Sequence, residues 1–166
     1  IWRQTNFDVL TGLPNRYMMA DRLNQYLAPL SPYGERRVAL LLLDLDRLRD
    51  INTVYGRHGG DALILQLSER ISQRLGDNGI LGRLGGDEFA LVLPGIEDMQ
   101  QLDQFAQEVL QQFESSFALN DEALFITGSI GIALAPDDGK DSETLFRHAE
   151  QAMYQAKDKG SNRYAY

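Results

Sequence analysis

Two short apolar runs, 80–84 and 89–93, are separated only by Gly85-Gly86-Asp87-Glu88. Paired glycines supply the positive backbone angles of a tight turn, so this stretch predicts a β-hairpin and commits the chain to antiparallel sheet. Turn geometry asks for nothing beyond the glycines. The adjacent carboxylates of Asp87 and Glu88 are surplus to it, and a carboxylate pair on a Gly-rich turn points to a hard divalent cation and a phosphate.

The remaining elements must cover that sheet. The run 38–46 is almost continuously apolar up to Asp44, which predicts a strand buried on both faces. Thr11-Gly12-Leu13-Pro14-Asn15 is a turn cluster leading into a helix with Met19, Leu23, Tyr26 or Leu27, and Leu30 inward. Gly59 and Gly60 precede a helix striped by Ile64, Leu67, Ile71 and Leu75. The span 97–117 sets Leu102, Phe105, Ala106, Val109, Leu110, Phe113 and Phe117 on one helical face. Alternation over 124–135 predicts a strand, with Gly128 and Gly131 allowing a bend or a close approach. A last helix over 141–159 is stopped by Gly160, and 163–166 adds a short edge strand. The pattern predicts an α/β (α+β) sandwich, its central and mainly antiparallel sheet flanked by helices, of the ferredoxin-like palm type. Neither a Gly-x-Gly-x-x-Gly after a first strand nor a P-loop is present, which argues against dinucleotide-binding and Walker folds.

A length of 166 residues suits one domain over 1–166, and a start at Ile1 rather than Met suggests a domain cut from a larger protein. The absence of cysteine excludes a disulfide scaffold and a thiolate metal site, and suits a reducing, cytoplasmic compartment. No apolar run approaches a membrane span, so no direct membrane contact is expected of this stretch. A net charge of −8 argues against a general nucleic-acid binder, which needs cations to displace counterions from phosphates. It does not argue against a nucleotide, because Mg²⁺ placed between carboxylates and phosphate oxygens reconciles the two.

Asp44 and Asp46 close the buried strand and point to the same side, since side chains alternate along a strand. Carboxylates there are expensive to bury unless they face water or a cation. Asp46 reads equally as the strand's exit into solvent. Asp44 is the better ligand, placed to share a metal with Asp87 at the hairpin tip.

Four further blocks make the pattern specific. The segment 44–61, with Asp44, Asp46, Ile51-Asn52, Gly56 and Gly60-Asp61, is similar to D-x-D-x-F-K-x-I-N-D-x-x-G-H-x-x-G-D. Asp8-x-Leu10-Thr11-Gly12-Leu13-Pro14-Asn15-Arg16, Ser129-Ile130-Gly131-Ile132-Ala133 and Ala152-Met153-Tyr154-Gln155-Ala156-Lys157-Asp158-Lys159-Gly160 match in the expected order. Together with Gly85-Gly86-Asp87-Glu88-Phe89 they resemble the GGDEF family, the diguanylate cyclases, over nearly the whole chain.

The resemblance implies condensation of two GTP molecules into cyclic di-GMP, with release of two pyrophosphates, where two subunits meet face to face as a transient homodimer. It implies Mg²⁺, or Mn²⁺ in its place, held by Asp44, Asp87 and the Leu45 carbonyl. Glu88 would be a further metal ligand or the base for the ribose 3′-hydroxyl. Asn52 and Asp61 would bond the guanine edge, where a carboxylate acceptor suits the N1–H and exocyclic amine. Lys157 would hold the terminal phosphates with backbone N–H groups near Arg47 and Leu48, and Arg49 would neutralise developing charge. Gly85 and Gly86 would let the backbone approach the nucleotide. Taken singly, Asn52 as a cap, Asp61 near a helix start and Lys157 near a helix end each have a purely structural reading.

Departures from the family pattern are Thr53 for aspartate, Leu48 for phenylalanine, Arg57 for histidine, and Ser161 where many members carry an arginine. Arg74-Leu75-Gly76-Asp77 has the letters of the family's inhibitory product site, but at the family's spacing the positions fall on Gly76 and Gly79. The spacing argues against that site. The stretches 117–122 and 133–139 resemble members fused to a C-terminal EAL phosphodiesterase domain, with sensory domains alongside. Three readings stay open: a cyclase, a GTP-binding regulatory module with little turnover, and a palm-fold nucleotidyl cyclase using one NTP.

Overall fold

The computed structural model describes residues 5–166. In chain order its main elements are α1 (Arg16–Leu27), β1 (Arg37–Leu45), α2 (Leu48–Leu75), β2 (Ile80–Gly85), β3 (Glu88–Ile96), α3 (Met99–Gln111), β4 (Phe117–Leu119), β5 (Glu122–Leu124), β6 (Gly128–Ala135), α4 (Ser142–Asp158) and β7 (Arg163–Ala165). The apolar run at 38–43 becomes the centre of the sheet, where no side chain is more than 3% exposed. β1 pairs antiparallel with β3 on one side and β6 on the other. β2 and β7 form the edges, in the order β2-β3-β1-β6-β7, and only β7 runs parallel to its neighbour.

Alternation along the strands sorts the core into two layers. Leu40, Leu42, Ala90, Val92 and Ala133 pack against Met19 and Leu23 of α1 and Leu145, Ala149 and Met153 of α4. Leu41, Leu43, Phe89, Leu91, Ile130 and Ile132 pack against Leu63, Leu67 and Ile71 of α2 and Leu102, Ala106 and Val109 of α3. The result is the expected sandwich. Among the described residues, no helix is long and apolar enough to cross a membrane.

Caps explain where helices begin. The side chains of Asn15, Asp98 and Asp141 accept N–H bonds from Met18, Gln100 and Thr144, so α1, α3 and α4 each start on a satisfied N-cap. Leu27 rather than Tyr26 faces the core.

Three sequence expectations need correction. Gly59 and Gly60 do not precede a helix; they lie inside α2, whose break is at Gly56 (φ 75°, ψ 176°). The run 97–117 is helical only to Gln111, because the chain turns to bring Phe113 and Phe117 under the sheet. The strand expected over 124–135 is shorter: it is β6, from Gly128, in the main sheet, while Leu124 ends β5, which pairs back onto β4 as a separate hairpin. Arg70 fixes that turn, donating to the carbonyls of Gln112, Ser115 and Ser116 while its guanidinium lies 3.8 Å from the Phe117 ring centroid.

Candidate active site

The hairpin tip and the end of β1 come together because β1 and β3 are neighbours in register. Asp44 lies directly opposite Glu88, and the Leu45 N–H donates to the Asp87 carbonyl at 2.9 Å. Directly opposed residues share a face, so two carboxylates stand side by side where like charges destabilise a sheet. Gly85 (φ 132°) and Gly86 (φ 49°) allow this turn. A methyl on either would meet open space, so their backbone angles, not crowding within the chain, require glycine.

Burial sharpens the conflict. Asp44 Oδ1 and Glu88 Oε1 are buried without a hydrogen-bond partner. Desolvation pushes the Asp44 carboxyl up to about 7, with nearby Asp87 adding to the rise and Lys157 opposing it. Glu88 is also raised, chiefly by burial; Arg16 and Lys157 oppose the shift while Glu150 and Asp87 reinforce it. Arg16 is engaged with Glu150 at 2.8 Å and lies over the Phe146 ring, so it flanks Glu88 without bonding it.

Lys157, in the last turn of α4, donates to Asp44 Oδ2. Burial works against its charge, but Asp44, Asp46 and Asp87 outweigh that and raise its pKa. Asp46 takes the structural course: its carboxylate accepts from Thr127 Oγ1 at 2.7 Å and Ser129 Oγ at 3.2 Å, which ties the strand's end to β6. Among the described residues, no three acidic or histidine side chains already converge as a cation cage. The orphaned oxygens and the all-oxygen donor set nevertheless fit a hard divalent cation.

Beside the carboxylates, α2 begins without a side-chain cap. Arg47 is left-handed (φ 69°) and bonds none of the first-turn N–H groups through its side chain. The N–H groups of the turn that follows are the kind of donors a phosphate takes at a helix N-terminus. Leu48 turns its side chain into the core, which leaves its backbone for that role, and Arg49 is exposed. The break at Gly56 then folds the first segment of α2 back onto the second. Asn52 sits so closely over Gly60 that a Cβ there would be 1.8 Å from its Oδ1, and Tyr55 crowds Gly59 at 2.5 Å. Asn52 is thereby brought against Gly60, the residue before the half-buried Asp61, and both glycines allow the close approach.

Sequence reasoning missed what holds the tip. Arg83 donates to both oxygens of Asp8 (3.1 and 3.2 Å) and to the Gly86 carbonyl (2.8 Å). Asp8 in turn accepts from the N–H and hydroxyl of Thr11. Burial works to raise the Asp8 pKa, but the Thr11 bonds and the Arg83 guanidinium hold it below the ordinary carboxylate value. Asp8 stood in a matched block and Arg83 lies two residues before the glycine turn, yet nothing in either stretch signals the pairing. Arg74 is occupied by a salt bridge to Glu108, in keeping with a structural role. A groove of about 490 Å³ between α3 and the start of β6 is lined by Gln107, Phe113, Phe125 and Thr127, and by none of Asp44, Asp87, Glu88 or Lys157.

Comparison with known proteins identifies the family and the fold. The family model for "Diguanylate cyclase, GGDEF domain" matches residues 5–163. The chain is 37% identical over 159 residues to the bifunctional diguanylate cyclase/cyclic di-GMP phosphodiesterase MucR of Pseudomonas aeruginosa, covering 96% of this chain and 23% of that protein. It thus spans less than a quarter of that relative's length. The solved GGDEF domain of TpbB (YfiN) from Pseudomonas aeruginosa matches with a TM-score of 0.90 and 30% identity, covering 96% of this chain and 92% of that one. The GGDEF domain of DgcB from Caulobacter crescentus, solved in complex with c-di-GMP, matches with a TM-score of 0.88 and 26% identity over 99% and 97% of the two chains. These neighbours have the palm-like nucleotidyl cyclase fold expected from the sequence. By sequence and by fold, the chain belongs to the GGDEF family of diguanylate cyclase domains.

Proposed function

We propose that this domain binds GTP and, when two copies face one another, condenses two GTP into cyclic di-GMP. The observation that carries the reading is the opposed pair Asp44 and Glu88, each with a buried unpartnered oxygen, beside Asp87, Lys157 and an uncapped helix start. Such a group is a net cost to folding and is explained by a ligand that satisfies it.

In each half-reaction a ribose 3′-oxygen attacks the α-phosphorus of the facing GTP. One P–O bond forms, the bond to the β-phosphate bridge breaks, and pyrophosphate leaves. Asp44, Asp87, the Leu45 carbonyl and Glu88 would hold Mg²⁺ (or Mn²⁺), which screens the charge on attacking and leaving oxygens when bound. Glu88, its pKa raised, is suited to accept the hydroxyl proton. The N–H groups at the start of α2 and Lys157 would take the phosphates, and the exposed Arg49 would neutralise developing charge. Asn52 and Asp61 read the guanine edge. Asp61→Ala is expected to weaken GTP binding by about tenfold or more while leaving ATP binding unchanged, because a buried pairing is what rejects the wrong base.

The test is chromatographic product analysis after incubation with GTP and Mg²⁺ at high protein concentration, beside Glu88→Ala. Cyclic di-GMP from the wild type and none from the variant supports the cyclase. GTP binding without product in an artificially dimerised chain refutes it in favour of a regulatory GTP-binding module, beside an EAL phosphodiesterase domain. That second reading is favoured by Thr53 and Ser161 at family positions, and by similarity to a relative named as both a cyclase and a phosphodiesterase.

A further inference from the structure

Two roles at this site conflict in the free chain. Lys157 is assigned to the terminal phosphates and Asp44 to the cation, yet the two side chains are bonded to each other. Arg16, a cation beside Glu88, is held by Glu150. Lys157 is therefore what neutralises Asp44, and it draws on Asp46 and Asp87 as well.

Resting on the GTP-binding reading above, we propose that Lys157 is a placeholder cation: it occupies Asp44 until a triphosphate draws it away, so that divalent cation and nucleotide enter together. The reasoning is one of exchange. The Asp44 side chain is only 14% exposed, and removing its partner leaves a charge without compensation in a half-desolvated site. A free cation replaces Lys157 on Asp44 but leaves the ammonium facing that same cation. A nucleotide without metal satisfies Lys157 but strips Asp44. The metal–triphosphate complex supplies the cation to Asp44 and the anion to Lys157 in one step, which makes the two ligands' affinities mutually dependent. A flexible four-carbon stem with a rotatable head permits the swing while α4 stays in place.

Direct Mn²⁺ titration followed by electron paramagnetic resonance, without nucleotide, tests this. Lys157→Met is expected to bind Mn²⁺ about tenfold more tightly than the wild type, the scale on which one adjacent opposite charge shifts a carboxylate equilibrium. Lys157→Arg retains a cation and stays weak. Lys159→Met, which removes a charge from the exposed end of the same helix, also stays weak. Equal Mn²⁺ affinity in wild type and Lys157→Met, or equal tightening in Lys159→Met, overturns the proposal. A second measurement needs no variant. Under an acetic anhydride pulse with peptide mapping, Lys157 should react slowly in the free chain and faster at saturating Mn²⁺; an unchanged rate overturns the proposal. Calorimetry with GTP and Mg²⁺ on the wild type separates the two levels. If GTP binds while the Mn²⁺ contrast is absent, only the placeholder fails; if GTP does not bind, the GTP reading fails and takes the placeholder with it.

Discussion

Gly131→Ala measures how tightly the fold holds Lys157 over the sheet. Helix α4 crosses β6 so closely at this point that a methyl would lie 2.0 Å from the Ala149 carbonyl oxygen, 2.4 Å from the Met153 nitrogen and 2.9 Å from its Cα. All three obstacles are backbone, so no rotamer change relieves them. Ordinary contact is at roughly 3.5 Å, so α4 must retreat by more than about 1 Å. Overpacking of this kind costs ~1–3 kcal/mol and occasionally more. The lower chain entropy of alanine returns ~0.5–1 kcal/mol. Three backbone obstacles put this position at the upper end of that cost, ~3 kcal/mol, so a net loss of ~2 kcal/mol follows, or about 4–8 °C in Tm for a domain of this size.

Urea unfolding followed by circular dichroism reads that loss, with Gly34→Ala as the control. A methyl at 34 meets only Ser31, at 3.5 Å, and should change stability by less than ~0.5 kcal/mol. The retreat also carries Lys157, one turn beyond Met153, away from Asp44 and Asp87, so GTP affinity of the folded variant should fall. A loss below ~1 kcal/mol, or equal losses in the two variants, would refute the claim that α4 rests on a bare glycine.

At Gly60 the obstacle is the end of a flexible side chain, Asn52 Oδ1, so Gly60→Ala should leave stability within ~1 kcal/mol of wild type while weakening GTP binding several-fold. Parallel urea melts and calorimetry check the split. Arg83→Met should cost ~2–4 kcal/mol by urea unfolding, because it leaves a mostly buried Asp8 without its counter-charge and releases the Gly86 carbonyl. The Asp8 pKa is depressed in the folded state, so its contribution is complete above the ordinary value of 3.8 and is lost as pH falls through the lowered one. The wild type should therefore lose stability more steeply than Asp8→Asn below pH 3.8, in acid melts that a pH-independent difference between them would contradict. Arg70→Met should cost ~1–3 kcal/mol in the same assay by freeing the Gln112, Ser115 and Ser116 carbonyls that fix the entry to β4.

What could be read from the sequence was whatever depends on local period and turn chemistry. The apolar run at 38–43 allowed only a central strand, and Gly85-Gly86 allowed only a tight turn. Their meeting point followed from pairing the two. The α2 break was misread because Gly59 and Gly60 look like a start signal, whereas their real demand is nonlocal: Tyr55 and Asn52 fold back onto them. The β4–β5 hairpin was hidden for a similar reason, since Phe113 and Phe117 continue a helical spacing and are turned aside by Arg70 from another element. Arg83 and Asp8 pair across most of the chain's first half, and no periodicity reports such a contact. Asp46 was poised between two roles, and its bonds to Thr127, just before β6, and Ser129, in β6, favour the structural one.

These particulars divide the chain by what each side chain opposes. Around the site, Asp8, Arg83, Asp46, Arg16 and Glu150 each have a partner from a different element, and each fixes backbone at the edge of the carboxylate pair. Inside that ring, Asp44 and Glu88 retain unsatisfied oxygens, and their burial works against folding with the charge in place. A chain under no demand but stability would replace one of them with an apolar residue, as stand at 38–43 of β1 and 89–93 of β3. The surrounding bonds therefore hold open a polar gap that the fold by itself would close, and on the GTP-binding reading proposed above the ligand that fills it brings positive charge to Asp44 and Glu88 and negative charge to Lys157. A metal-bound triphosphate has that distribution. A free nucleotide, a free cation or an uncharged ligand does not.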